Sequence, residues 1–136
     1  MDADYDTARY RPAPPVGGQC AILPAMSNYT IKNLMDVADS AAGRAPGMEA
    51  RMARSALDSE QLGVSYFRYD PGTRAPYGHK HRVQEEAYVI VSGSGRLKLD
   101  DDVVDVKHWD VIRIAPAVVR GFEAGPEGLE VIAVGG

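Results

Sequence analysis

Gly78–Gly95 reads G-H-K-H-R-V-Q-E-E-A-Y-V-I-V-S-G-S-G. His79 and His81 are two residues apart, so in an extended chain their side chains leave the same face. Glu86 follows after a turn-like interval and opens Ala87–Val91, a run whose β-branched and aromatic residues favour a strand. Gly93 and Gly95 are expected to close that run in a tight turn. Two imidazoles and a carboxylate brought together from adjacent strands are a ligand set suited to a divalent metal.

The spacing carries more information than the residue types. H-x-H, four residues, Glu, six residues and Gly, set just ahead of a strand-and-turn pattern, resembles the first motif of the cupin superfamily. The resemblance implies an all-β fold, a double-stranded β-helix or jelly-roll barrel, with His79, His81 and Glu86 as metal ligands inside it. Iron, manganese, nickel or zinc would suit that set.

The family's second motif matches Trp109–Ala124, W-D-V-I-R-I-A-P-A-V-V-R-G-F-E-A. Asp110, Pro116 and Val118–Phe122 fit it. Ala117 stands where glycine is usual, and Arg120 stands where a histidine supplies the last ligand. Six residues separate Gly72 from His79, against five in the family.

An arginine stays protonated and does not ligate metals, so three readings are open. In the first, His79, His81 and Glu86 hold a metal as two histidines and one carboxylate, and Arg120 is free to clamp an anionic ligand. In the second there is no metal, and Arg120 bridges to Glu86 in a barrel that binds a small anion or polar metabolite. In the third the histidines are structural. Alternation with Val118 and Phe122 turns Arg120 inward; the contrary arrangement would pair it outward with Glu123. Around the site, Gln84 is a candidate polar donor, Tyr77 and Tyr88 are candidate wall residues, Glu85 should face outward, and His108 belongs to the surface.

Outward from this centre the chain is mostly β. Leu62–Tyr69 is a strand ended by the turn Asp70-Pro71-Gly72, in which proline fixes φ and glycine tolerates positive φ. Arg96–Leu99 and Val103–Val106 flank a hairpin tip at Asp100-Asp101-Asp102. Asp110–Ile114, Val118–Phe122 and Leu129–Val134 follow, separated by Ala115-Pro116 and Gly125-Pro126-Glu127-Gly128. Tyr29–Ile31 reads as a short first strand and Asp36–Pro46 as a loop. Met48–Leu57 fits a helix by propensity and a strand by alternation, and the cupin resemblance selects the strand.

Residues 1–27, rich in proline and glycine, are expected to form a flexible arm, with a short strand at Cys20–Leu23, ahead of a barrel over 28–136. The 136 residues suit one core. A net charge of −4 without a basic cluster argues against nucleic acid as a partner. No apolar run reaches the ~20 residues of a membrane span, and the start lacks the pattern of a secretory signal. With the single Cys20, these features predict a cytoplasmic protein.

Two functions remain in view: an enzyme, such as a metal-dependent oxygenase or isomerase acting on a small metabolite, and a non-catalytic small-molecule-binding barrel. Open sheet edges and the arm suggest a homodimer.

Overall fold

The computed structural model describes residues 28–136; the expected arm and the Cys20–Leu23 strand lie outside them. Six strands form one rolled antiparallel sheet: β1 (Met48–Met52), β2 (Gly63–Tyr69), β3 (Glu86–Leu99), β4 (Asp102–Lys107), β5 (Val111–Ile114) and β6 (Arg120–Gly135). Their spatial order is β1-β2-β6-β3-β4, with β5 pairing the first part of β3. This is the expected jelly-roll architecture. Among the described residues no helix is long and apolar enough to cross a membrane.

Two expected turns prove to lie within strands. Gly93-Ser94-Gly95 falls inside the 14-residue β3, and Gly125–Gly128 falls inside the 16-residue β6. The two strands pair with each other, and the ladder steps from Gly93↔Leu129 to Gly95↔Ala124. Residues 125–128 therefore oppose the single residue Ser94, which makes the G-P-E-G segment a bulge rather than a turn.

The bulge flips the inward face. Inward residues of β6 are even-numbered before it (Arg120, Phe122, Ala124) and odd-numbered after it (Leu129, Val131, Ala133). On β3 the same switch separates Tyr88 and Ile90 from Leu97. Ile90, Leu97 and Val131 are wholly buried, and the Tyr88 ring meets Phe122 edge-on at 5.2 Å between centroids.

Outside this ladder the expectations divide. The Asp70–Gly72 turn forms, with Thr73 N–H donating to Asp70 O at 3.0 Å. Of Met48–Leu57, the first half is β1 and the rest turns away. Tyr29–Ile31 is not a strand: it pairs with no described residue, and both Tyr29 and Ile31 are largely exposed. The Asp36–Pro46 loop is tied down by Asp39 Oδ1, which accepts from Ala41 N–H and Ala50 N–H at 2.9 Å each.

A glycine at 93 is demanded twice over. Its φ is +75°, and a Cβ there would sit 2.0 Å from Gly128 O. Gly93→Ala should lower unfolding stability by at least about 2 kcal/mol, because backbone on both strands would have to move. Gly43→Ala, also at positive φ but with nothing within 4 Å of the added methyl, should cost only about 1 kcal/mol. Urea denaturation of the two variants measures the difference.

Candidate metal centre

Two stretches distant in sequence, 79–86 and 116–120, bring the site together. His79 is not on a regular strand, as had been expected. It forms one bridge with the edge of β6, exchanging N–H···O bonds of 3.0 Å with Arg120 in both directions. His81 N–H donates to Pro116 O at 2.9 Å. These three backbone bonds fix the H-x-H segment against the start of β6. The chain then turns back through residues 82–85 to Glu86, the first residue of β3.

Donor atoms of His79, His81 and Glu86 all lie within 4.8 Å of one another. The two rings stand nearly perpendicular, 5.4 Å between centroids. His81 Nε2 lies 3.1 Å from Glu86 Oε1 without the alignment of a hydrogen bond, and it is a buried polar atom with no partner. Such an atom requires an explanation, since buried nitrogens are almost always satisfied.

The other carboxylate oxygen is fully engaged. Arg120 Nε and Nη2 donate to Glu86 Oε2 at 3.2 and 2.7 Å, and the Tyr88 hydroxyl donates to it at 2.6 Å. Arg120 Nη1 donates to Val118 O at 2.6 Å and to Pro116 O at 3.1 Å. None of the Arg120 side chain is exposed, and Glu86 keeps only 13% exposure.

Burial alone would raise the Glu86 carboxyl. The His79 imidazole 3.8 Å away, the Tyr88 and Arg120 hydrogen bonds and the neighbouring His81 outweigh it, and hold the group far below the usual carboxylate range. Tyr88 is pushed well above an ordinary phenol by burial and by its bond to Glu86, so it remains a donor.

The structure corrects three sequence expectations. Arg120 does turn inward, yet it cannot clamp a ligand directly: it is sealed, and its donors are spent on Glu86 and two carbonyls. Tyr77 is no wall residue, because 75% of it is exposed. The Gln84 amide nitrogen packs where a Cβ on Gly135 would be, 2.4 Å away, beside the Gly63–Gly135 pair. Its neighbours there are glycines, and it donates to neither histidine. Glu85 faces outward onto Arg113, and Glu123 is taken by Arg74 and Arg96. His108 is exposed, stacked on Trp109. What the sequence hid was the part played by the Pro116 and Val118 carbonyls, since backbone acceptors leave no mark in residue identity.

A rolled antiparallel barrel with two histidines and a glutamate gathered at one end defines a class of small β-barrels suited to holding a divalent ion. The chain belongs to the cupin domain family, whose sequence model matches residues 65–135. No curated protein matches it. Among solved structures it resembles a cupin protein from Bacteroides fragilis, 23% identical over 81% of this chain and 85% of that one, with a TM-score of 0.67. An RmlC-like cupin from Shewanella frigidimarina is 18% identical over 80% and 93%, TM-score 0.62. A polyketide cyclase from Streptomyces resistomycificus is 20% identical over 78% of each chain, TM-score 0.65. At these identities the likeness is one of fold.

Removing one partner of the Glu86–Arg120 pair leaves a buried charge. Glu86→Gln and Arg120→Met should each lower stability by roughly 3 kcal/mol in metal-free protein. The sign with pH is fixed by the depressed Glu86 carboxyl. Its contribution is complete above the unfolded value of 4.5 and is lost as pH falls below it. Urea unfolding between about pH 3 and 6 should show a steep acid limb in the wild type and a shallower one in Glu86→Gln.

Proposed function

We propose that this protein holds one divalent metal ion on His79, His81 and Glu86 and acts there on a small molecule admitted at the barrel mouth. The observation that carries this reading is His81 Nε2, buried and without a partner beside Glu86 Oε1. An imidazole nitrogen shielded from water and left unpaired is costly, and a cation is the partner that the donor set selects. Two neutral nitrogens and one carboxylate oxygen suit iron, manganese, nickel or zinc. A bound ion supplies Lewis-acid or oxygen-activating chemistry, which an oxygenase or isomerase would use.

The chain's own residues do the rest. Each histidine presents a ring nitrogen, held in place by backbone bonds from its own residue to β6 and to Pro116. Glu86 Oε1 faces the histidines while Oε2 is anchored by Arg120 and Tyr88. His79, 45% exposed in its side chain, marks the side from which a ligand enters. The fold shared with a polyketide cyclase is in keeping with chemistry on small organic molecules.

The second reading, a metal-free binding barrel, is favoured by the Arg120–Glu86 bridge itself, which neutralises the carboxylate without any ion.

Elemental analysis separates the two. Protein purified without chelator should carry close to one metal per chain, and His79→Ala and His81→Ala should lose it. Retention should weaken in acid, where protons compete with the ion for its ligands. Wild-type protein that stays metal-free, and gains no thermal stability on addition of these ions, refutes the proposal.

A further inference from the structure

Charge bookkeeping at the site points beyond the metal to the kind of molecule that joins it. Resting on the metal reading above, we infer that the ligand is a small carboxylate anion, and that Arg120 strengthens this choice by its charge, without touching the ligand.

The charged groups of the cluster, beside the two imidazoles, are one carboxylate and one guanidinium. Glu86 carries −1 and Arg120 carries +1, so these groups sum to zero before any ion enters. Among the described residues, Glu86 is the only acid paired with Arg120. The nearest other acid in sequence, Glu85, points outward and is bridged to Arg113. Lys80 and Arg82, the residues next to the histidines, are both exposed and basic, so they offer no negative charge either. A divalent ion therefore brings two positive charges that no charged group in this cluster offsets. Had position 120 held the histidine of the family motif, Glu86 would have cancelled one of them.

Uncompensated charge in a partly dry site is unfavourable, and an anion from solution is the means left to balance it. The guanidinium cannot supply that balance by moving. Its side chain has no exposed surface, and its donors are committed to Glu86 Oε2, Pro116 O and Val118 O. It acts through the shared carboxylate: Nη2 is 2.7 Å from Oε2, while Oε1 is 3.1 Å from His81 Nε2. Arg120 is thus a positioning and charge-setting residue, not a contact residue. A carboxylate fits because it delivers its charge through oxygens that a hard or borderline divalent ion accepts. Tyr88 and Arg120, both buried and bonded to Glu86, close the site on that side.

The test uses the intact chain loaded with cobalt(II) and titrated with malonate or with its neutral diamide, malonamide. Calorimetry reports affinity, and the visible cobalt spectrum reports entry at the metal. Malonate, with two negative charges, should bind at least about tenfold more tightly than neutral malonamide, a lower bound for added charge at short range. Metal-free protein should bind neither. Arg120→Lys, which keeps the charge, should retain the preference; Arg120→Met, which leaves one uncompensated charge instead of two, should reduce it while keeping cobalt. If Arg120→Met does not fold, Arg120→His serves as the uncharged variant, and the wild-type comparison stands by itself. Equal affinity for malonate and malonamide, equal malonate binding without cobalt, or an unchanged preference in the uncharged variant would each overturn the inference and leave the metal reading intact. A wild type that takes up no cobalt would overturn both.

Discussion

The barrel closes on the contact between Glu86 and Arg120. In the β3–β6 ladder these residues stand at opposite ends: Glu86 opens β3 opposite Gly135, and Arg120 opens β6 opposite Leu99. In a flat sheet the thirteen steps from Glu86 to Leu99 would hold them roughly 43 Å apart. In the rolled sheet Nη2 and Oε2 are 2.7 Å apart. The glycine-bearing bulges at 93–95 and 125–128 supply the bend, and the ion pair fastens its two ends. Burying a guanidinium is costly, yet here the two-point contact with Glu86 and the carbonyls of Pro116 and Val118 replace the lost water.

That closure also explains why the histidines sit where they do. With Arg120 drawn inward, its backbone N–H and C=O point along the sheet edge, and His79 takes both. The H-x-H segment is thereby a short edge piece on β6 rather than a strand in its own right. Its side chains converge on Glu86 because the same roll that joins Arg120 to Glu86 also carries the edge of β6 to the start of β3.

Much of this was legible in the residues, for identifiable reasons. Side-chain types that leave few alternatives, such as the H-x-H and glutamate spacing, the Asp70-Pro71-Gly72 turn and the triple-aspartate tip, marked their places correctly. Alternation put Arg120 on the face of Phe122. The misreadings share one cause. Gly93-Ser94-Gly95 and Gly125-Pro126-Glu127-Gly128 carry turn chemistry, but local preference does not reveal that each lies opposite the other. Facing bulges on paired strands use the same residues as turns, and only the long-range register tells them apart. Tyr29–Ile31 has strand-like residues without a partner to pair with, and pairing is what makes a strand. Tyr77 and Gln84 were placed by sequence proximity to the histidines, whereas a loop that turns back on itself separates near neighbours.

Glu86 serves two masters, one through each oxygen, and this is where the chain departs most from the pattern it resembles. Oε2 belongs to the architecture, held by Arg120 and Tyr88; Oε1 belongs to the histidines. Stability and site chemistry are therefore coupled through a single side chain. His81 is the opposite case. Among the described residues its Nε2 has no hydrogen-bond partner, although the atom is shielded from water beside a carboxylate. A polar atom left so is better accounted for by what it can bind. In Glu86 the two demands are met by one residue; in Arg120 and His81 they are separated. The arginine keeps the barrel closed with a charge that the rest of the site has to accommodate.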